Sequence, residues 1–281
     1  MSTGIEAPVT AEPHFAQAID LLRGARVAVL TGAGVSTDSG IPDYRGEGAP
    51  VRTPMTVQTF LASEQARKRY WAGSHLGWRS FAGAAPNRGH LALAELEAGG
   101  TVSGVITQNV DGLHRRAGNR HVIELHGSMD RVLCLTCGQH YARQALAARL
   151  EDLNPEIDLD TAIRPAPDGD VEVDHIDEMV IPACTVCGGI LKPDVVFFGE
   201  FVPTDRFQAA ASLVQAADVL LVAGSSLVVN SGMRLIEQAR RKRLPIVIIN
   251  RGVTKGDGRA AVKIEAGASE TLVAIAAALD S

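Results

Sequence analysis

Several features that mark common classes of protein are missing from this sequence of 281 residues. No apolar run reaches the roughly 18 residues that a membrane-spanning helix needs, so we expect no membrane segment. The first 15 residues contain neither a basic start nor an apolar stretch, which argues against secretion or import into an organelle. We therefore expect a cytoplasmic protein.

Basic clusters with interleaved aromatic residues are also missing, so the sequence lacks the electrostatic footprint of a nucleic-acid-binding protein. The net charge of −5 is unevenly distributed, because residues 151–180 contain 11 acidic residues and one basic residue. Such an acidic run is typical of a solvated loop, and a partner-binding tail is the alternative.

Cysteine is scarce, and its four residues form two C-x-x-C pairs, each followed by glycine: Cys134 with Cys137, and Cys184 with Cys187. Two such turns can place four thiolates around one tetrahedral zinc ion. The 46 residues between the pairs exceed the usual spacing, so we expect an excursion that contains the acidic run. Two disulfides, or a redox C-x-x-C, are the alternatives, and disulfides fit poorly without a secretion signal. We predict one structural zinc with no open coordination position.

What is present is an alternation of apolar strand-like runs and helical patterns, in a chain long enough for one large domain or a large and a small one. Strands are predicted at residues 25–32, 102–109, 121–125, 217–226, 245–252 and 262–267. Helices are predicted at 13–23, at 55–82, from the cap at Pro86-Asn87 through Leu96, at 205–216, at 231–243 and at 269–280, where Ser269 is the expected N-cap. This alternation predicts an α/β fold, a Rossmann-like, doubly wound parallel sheet with helices on both faces.

Two segments interrupt the alternation, and both begin just after a strand ends, where open α/β sheets bind ligands. We expect residues 13–46, 89–129 and 193–281 to form a Rossmann-like NAD-binding domain. The helical insertion 47–88 and the zinc-binding insertion 130–192 then form a smaller domain beside its cleft.

The stretch "VLTGAGVSTDSGIPDYRG" at residues 29–46 begins like a dinucleotide-binding turn. A dehydrogenase would continue with a long helix and an acidic residue about 20 positions later. Here Pro42 disfavours helical geometry at Ile41 and removes an N–H group, so the chain must leave the helix as a loop. The stretch therefore departs from the dehydrogenase pattern and provides a loop, with Gly40, Gly46 and Gly48, that can fold over a bound nucleotide.

Other predicted strands also end in small or polar residues that suit a nucleotide site. These are "TQNVDGLH" at 107–114, "ELHGSMD" at 124–130, Gly224-Ser225-Ser226 and Asn250-Arg251-Gly252. Taken singly, each is weak evidence, because the glycines could form a tight turn, Asn109 and Asp111 could cap a helix, and His126 could be a surface or core histidine. Their joint position at successive strand ends favours one functional site.

Five motifs together resemble the sirtuin family of NAD-dependent protein lysine deacylases, over about residues 13–275. They are "GAGVSTDSGIPDYRG", "TQNVDGLH", "ELHGSMDRVLCLTCG", "KPDVVFFGE" and "VAGSSL", in the family order. Tyr44 in place of phenylalanine, "RKRYW", "LNPE" and "APDGD" resemble the class II branch. The Tyr-x-x-Arg pair that marks desuccinylating members is not found, since Arg67 and Tyr70 occur in the reverse order.

The resemblance implies which residues act. His126 and Asn109 would be catalytic, the acylated-lysine peptide would lie along Val195, Val196, Phe197, Phe198 and Gly199, and the four cysteines would bind zinc. The expected NAD-binding residues are Gly32, Ala33, Gly34, Ser36, Thr37, Ile41, Asp43, Tyr44, Arg45, Gln108, Asn109, Asp111, Gly224, Ser225, Ser226, Asn250, Arg251, Gly252 and Ala268.

The implied reaction is substitution at the ribose carbon that bears nicotinamide. The acyl-lysine carbonyl oxygen attacks this carbon and displaces nicotinamide, which gives an imidate linked to ADP-ribose. His126 then acts as general base on the ribose 2′-hydroxyl, which attacks the imidate, and water completes the release of free lysine and 2′-O-acyl-ADP-ribose. ADP-ribosyl transfer to protein and removal of longer or lipoyl acyl groups are alternatives on the same fold. A dehydrogenase or a zinc-ribbon binding module without catalysis are the alternatives of another class.

Overall fold

The computed structural model describes residues 9–43, 54–155 and 176–280. The helices are α1 Phe15–Leu22, α2 Val57–Ala62, α3 Glu64–Gly83, α4 Arg88–Ala98, α5 Leu113–Ala117, α6 Arg143–Leu153, α7 Thr204–Ala216, α8 Asn230–Arg241 and α9 Ala268–Leu279. The strands are β1 Val27–Thr31, β2 Val102–Thr107, β3 Val122–Glu124, β4 Gly127–Cys134, β5 His140–Ala142, β6 Leu191–Val195, β7 Val219–Ala223, β8 Ile246–Ile249 and β9 Val262–Ile264. Among these helices, none combines the length and the apolar character that crossing a membrane requires.

A six-stranded sheet in the order β3-β2-β1-β7-β8-β9 carries the larger part of the fold, and each pairing in it is parallel. The chain order reverses at β1, which pairs with β2 on one side and β7 on the other. Thr31 lies level with Thr107 and with Ala223, so the central strands end at one edge. The predicted parallel sheet is confirmed.

Both faces of this sheet are buried under helices. Along β1, Val27 and Val29 pack into the layer with α1, α4 and α9, whereas Ala28 and Leu30 pack into the layer with α7 and α8. Successive side chains of a strand point to opposite faces, so a strand covered on both sides must be apolar throughout. This is why β1 was recognisable as a continuous apolar run.

The N-cap predicted for α4 is found in the structure, and the N-cap predicted for α9 is not. Asn87 begins α4 as predicted, because its side chain accepts hydrogen bonds from the amides of Gly89 and His90. The expected cap of α9 at Ser269 is wrong. The helix begins at Ala268, and Ser269 instead donates to the Asn87 side chain at 3.2 Å, which ties α9 to α4.

The helical segment predicted at 55–82 is divided in two by Ser63. This residue has an extended backbone, and its hydroxyl accepts a hydrogen bond from the amide of Ala66 in the first turn of α3. Ser63 therefore ends α2 and caps α3, as a serine outside a helix readily does.

A second, three-stranded antiparallel sheet, β5-β4-β6, packs with α2, α3 and α6 around a separate core. The rings of Phe60, Tyr70 and Phe197 meet in this core at centroid distances of 4.9–5.4 Å. Arg143 of α6 is buried there beside the indoles of Trp71 and Trp78, 5.2 and 5.1 Å from their centroids. Burial lowers the pKa of Arg143 to about 10. These cation–π contacts join α3 to α6.

Candidate active site

A cleft of about 1300 Å³ opens at the carboxyl edge of the six-stranded sheet, where β1, β2, β3, β7 and β8 end. This is the usual ligand position in open α/β sheets. The described residues predicted to bind the cofactor or the substrate, or to be catalytic, all line it: Gly32, Ala33, Gly34, Ser36, Thr37, Ile41, Asp43, Gln108, Asn109, Asp111, His126, Val195, Val196, Phe197, Phe198, Gly199, Gly224, Ser225, Ser226, Asn250, Arg251, Gly252 and Ala268. Tyr44 and Arg45 lie outside the described residues.

Three glycines let the loops after β1 and β7 cross closely at the floor of the cleft. A Cβ atom on Gly32 would lie 2.7 Å from the carbonyl oxygen of Gly224. One on Gly34 would lie 2.9 Å from the Gly224 Cα, and Gly224 itself has a φ of +62°. The glycines are therefore needed for the approach of two backbones, as well as for access of a ligand to the β1 loop.

Polar side chains above this crossing form one connected network around Ser36. The Ser36 hydroxyl donates to Asp111 Oδ2 at 2.7 Å and accepts from Asn109 Nδ2 at 3.0 Å. Asn109 Nδ2 also donates to the carbonyl oxygen of Gly32 at 3.1 Å. Burial raises the pKa of Asp111, and hydrogen bonds from Leu113 N–H and Ser36 oppose the rise. The network fixes the carboxylate and the amide in the wall of the cleft.

Two buried histidines lie behind this network. His90 Nε2 is 3.5 Å from the Ser36 hydroxyl, and His114 Nε2 is 2.9 Å from the hydroxyl of Thr31. The two rings are 4.8 Å apart. Burial lowers the pKa of His90 to about 4 and that of His114 to about 3, so both rings are neutral at neutral pH.

The lowered pKa values of His90 and His114 predict that the folded protein is less stable in mild acid than at neutral pH. In the unfolded chain both histidines become protonated below their ordinary pKa of 6.5. In the folded protein His90 stays neutral down to about pH 4 and His114 down to about pH 3. The free energy of unfolding therefore falls as the pH drops through this window, by about 2 kcal/mol for each ring between pH 7 and 5. We expect His114→Gln to reduce the fall between pH 7 and 5 by about 2 kcal/mol, the contribution of this one ring, when urea unfolding is compared at the two pH values.

The exposed His14, replaced by glutamine in the same way, is the matched control for this measurement. Equal losses in the wild-type protein and His114→Gln between pH 7 and 5 would contradict the expectation.

His126 lies two residues beyond β3, and neutral groups hold its ring on both edges. Nδ1 is 3.0 Å from the carbonyl oxygen of Gln108, and Nε2 is 2.8 Å from the hydroxyl of Ser231. A carbonyl only accepts, so in the neutral ring the hydrogen is on Nδ1 and the lone pair is on Nε2. Burial lowers the pKa of His126, and the Gln108 carbonyl opposes this. The ring is thus a neutral base at neutral pH.

The remaining strand ends complete the nucleotide side of the cleft. The Ser225 hydroxyl donates to Gln108 Oε1 at 2.6 Å, which links the ends of β7 and β2. After β8, the Asn250 side chain donates to the carbonyl oxygens of Arg251 and Gly252 and closes a tight turn. The cleft thus has polar groups both at its centre and at the β8 end.

The predicted substrate segment crosses the other side of the cleft and is tied directly to the base. The Val196 amide donates to the His126 carbonyl oxygen at 2.8 Å, and Phe198 pairs with residue Thr56 in a parallel bridge. Glu200 accepts from the Phe197 amide at 2.6 Å and pairs with the buried Lys192 at 3.0 Å. Phe197 contributes both to the cleft wall and to the core around Tyr70.

Sequence reasoning missed four residues that contribute to this arrangement. Lys192 and Glu200 stand within a quoted motif, but their ion pair is visible only in the structure. Tyr70 lines the cleft from α3. Ser231 lies beyond the last motif, in the first turn of α8, and no local pattern distinguishes its hydroxyl from that of an ordinary helix serine.

Away from the cleft, the four cysteines form one cluster whose Sγ atoms all lie within 4.8 Å of one another. Cys134 is 3.5 Å from Cys187, and Cys137 is 3.7 Å from Cys184. Zinc–sulfur bonds of about 2.3 Å in a tetrahedron place sulfur atoms about 3.8 Å apart, so the cluster fits zinc.

The four thiols lie close enough to shift the pKa values of one another. The Tyr141 hydroxyl, 3.1 Å from the Cys184 Sγ, lowers the pKa of that thiol to about 6. The Gly189 amide lowers the pKa of Cys187, but the neighbouring thiols and burial raise it to about 12. A bound dication removes the mutual repulsion of the thiolates.

Comparisons with known proteins agree with this geometry. The Sir2 family model matches residues 32–231. "NAD-dependent protein deacetylase 1" of Mycobacterium avium strain 104 is 52% identical over 262 residues, 92% of this chain and 93% of that protein. The protein of the same name from Streptomyces coelicolor is 49% identical, over 93% of this chain and 89% of that one.

Solved structures give the same result. A structure of Sir2 with a p53 peptide and NAD+ is 33% identical, with a TM-score of 0.73 over 93% of this chain and 95% of that chain. Sir2 bound to an acetylated peptide is 31% identical, with a TM-score of 0.73 over 93% and 96% of the two chains. The chain therefore belongs to the Sir2 family, as its five motifs predicted.

Proposed function

We propose that the protein is an NAD-dependent protein lysine deacetylase. One observation carries the proposal: the unprotonated Nε2 of His126 lies in a cleft with nucleotide-type strand ends on one side and the substrate segment on the other. Relatives that are 52% and 49% identical bear the name NAD-dependent protein deacetylase. The overall reaction converts acyl-lysine, NAD+ and water into lysine, nicotinamide and 2′-O-acyl-ADP-ribose.

The residues around Ser36 would bind the nicotinamide and its ribose. Asp111 presents a buried carboxylate that can accept a hydrogen bond from the carboxamide N–H₂, and Ile41 and Asp43 lie at the same end of the cleft. Asn109 is held by Gly32 and Ser36 and would orient the ribose and the attacking water. Tyr44 and Arg45, which follow directly in sequence, would cover the nicotinamide and reach the phosphates.

The other strand ends would hold the rest of the co-substrate. Gly32, Ala33, Gly34 and Thr37 would offer backbone and hydroxyl groups to the pyrophosphate, as loops at the carboxyl ends of strands do. The adenosine half would lie along Gln108, Gly224, Ser225, Ser226, Asn250, Arg251, Gly252 and Ala268.

His126 would take the proton from the ribose 2′-hydroxyl. Its Nε2 lone pair accepts a hydrogen bond from Ser231, which lines the cleft with His126, and its lowered pKa keeps the ring unprotonated at neutral pH. The base needs no change of tautomer to accept this proton, because the Gln108 carbonyl already holds the hydrogen on Nδ1. The earlier attack on the ribose carbon depends on how well the acyl-lysine carbonyl oxygen is aligned with that carbon, because an amide oxygen is a weak nucleophile.

Val195, Val196, Phe197, Phe198 and Gly199 would hold an extended acyl-lysine peptide by strand addition. Phe197 and Tyr70 give the cleft wall an apolar, aromatic surface. Desolvating a charged lysine there is costly, so the site favours the neutral acylated side chain over the free amine. The placement in class II, with its varied acyl groups, stays a prediction.

We also propose that the four cysteines hold one structural zinc ion, which ties β4 to the segment before β6. The division into a Rossmann-like domain (13–46, 89–129, 193–281) and a small domain from the insertions 47–88 and 130–192 is supported by the two separate sheets. We also propose a cytoplasmic location, because four cysteines grouped closely enough to hold one metal ion suit a reducing compartment.

The proposed function is tested with NAD and peptides that carry acetyl, propionyl, succinyl or lipoyl lysine. We expect release of nicotinamide that requires the acylated peptide, with equal amounts of deacylated peptide and 2′-O-acyl-ADP-ribose in mass spectrometry. Transfer of ADP-ribose to the peptide or to protein, without deacylation, would assign the alternative activity. Reduction of NAD, or no reaction with any acyl group, would contradict the proposal.

A further inference from the structure

The end of β2 and the start of α8 together enclose the imidazole of His126. The Gln108 carbonyl binds Nδ1, and the Ser231 hydroxyl binds Nε2 at 2.8 Å. Helix α8 also packs against the Gln108 side chain, because a Cβ on Gly232 would lie 3.1 Å from Gln108 Nε2. Ser231 is 7% exposed, so the helix backbone holds its hydroxyl in a buried position.

The direction of the Ser231 hydrogen bond follows from the tautomer. With the hydrogen on Nδ1, Nε2 offers only a lone pair, so the serine hydroxyl donates to it. After the ring has taken up a proton, the same hydroxyl can accept from Nε2–H, because a serine oxygen is both donor and acceptor. The contact is therefore compatible with both protonation states of the base.

We propose that Ser231 is a positioning residue for the general base. Its hydroxyl holds the imidazole in the orientation that catalysis requires, and the ribose 2′-hydroxyl of the co-substrate replaces it as the partner of Nε2 when NAD binds. The proposal rests on the proposed function and deepens it. Of the two hydrogen bonds that hold the ring, only the one to Gln108 remains when Ser231 is absent, so rotation about the Cβ–Cγ bond is less restricted. The loss affects the step in which His126 takes a proton, while cleavage of the nicotinamide bond does not use that base.

The two steps can be measured separately in Ser231→Ala. Exchange of labelled nicotinamide into NAD, in the presence of acetyl-lysine peptide, reports bond cleavage, and formation of 2′-O-acetyl-ADP-ribose reports the complete reaction. We expect kcat for product formation to fall about tenfold, the effect of one neutral hydrogen bond, while exchange and the KM for NAD stay unchanged. Ser231→Thr keeps a hydroxyl and is expected to restore most of the rate.

Ser103→Ala is the matched control, since it removes a partly buried hydroxyl that donates to the Val27 carbonyl at 3.0 Å, at the start of β2. It should leave both steps unchanged. Full product formation by Ser231→Ala, or a parallel fall of exchange and product formation, would overturn the proposal.

Nitrogen NMR of the His126 ring in the free protein tests the contact without any activity. The wild-type ring should show the Nδ1–H tautomer, and the Nε2 resonance should shift in Ser231→Ala because a hydrogen bond to it is lost. An unshifted Nε2 resonance overturns the proposal. A wild-type protein that is inactive on every acyl-lysine peptide overturns the proposed function instead.

Discussion

Replacing His126 by alanine is expected to lower kcat for deacylation by about 10²–10⁴, the usual contribution of a positioned general base. Gln108 holds Nδ1 of the ring and Ser231 holds Nε2, and the substitution leaves neither hydrogen bond. NAD binding should persist, because the strand-end groups that surround the nucleotide side are untouched. Product formation by mass spectrometry and NAD binding by calorimetry separate the two effects.

The fall of kcat/KM at low pH in the wild-type protein also tests whether His126 is the general base. Burial lowers the pKa of His126 from its ordinary 6.5, so the base stays active at a pH where a free histidine is protonated. We expect the rate to decline only below pH 6.5. The exposed His14→Ala is the matched control, with full activity expected. Near-normal turnover by His126→Ala would remove the imidazole from the mechanism.

The sheet was predictable because its strands are covered on both faces. A strand such as β7, Val219–Ala223, must then be apolar at every position, and such runs stand out in a sequence. The break of the long helix at Ser63 was not predictable, since it depends on the hydroxyl capping the next helix. The N-cap predicted at Ser269 was wrong for a related reason, because the Ser269 hydroxyl forms a tertiary hydrogen bond with Asn87.

The site was predictable to the extent that its residues follow strands directly. Gln108, Asn109 and His126 do so, and the parallel register brings these positions to one edge. The partners of His126 could not be predicted in the same way. Ser231 reaches the ring across 105 positions of sequence, and the Gln108 contact uses a backbone carbonyl, which every residue has.

We expect loss of the cysteine cluster to lower the stability of the protein strongly, because the cluster joins two parts of the chain that are far apart in sequence. Cys134 ends β4, and Cys184 precedes β6, its antiparallel neighbour. Beyond these strands, the Leu135 amide donates to the Ile190 carbonyl oxygen at 2.9 Å. A metal at this point closes a loop that includes the acidic run 151–180, of which residues 156–175 lie outside the described residues.

Cys184→Ser is expected to lower the zinc content from one ion per chain to near zero and to lower the melting temperature by about 10 °C. The binding energy of a structural zinc ion contributes directly to folding, and a loss of about 3–4 kcal/mol shifts the melting of a chain of this size by roughly that much. A strong chelator should lower the melting temperature of the wild-type protein by a similar amount. Thr185→Ser, a change at the exposed neighbour of the ligand, should keep both the metal and the melting temperature. A metal-free wild-type protein of full stability would show that the fold needs no ion, and the cluster would then have to be explained by the thiols alone.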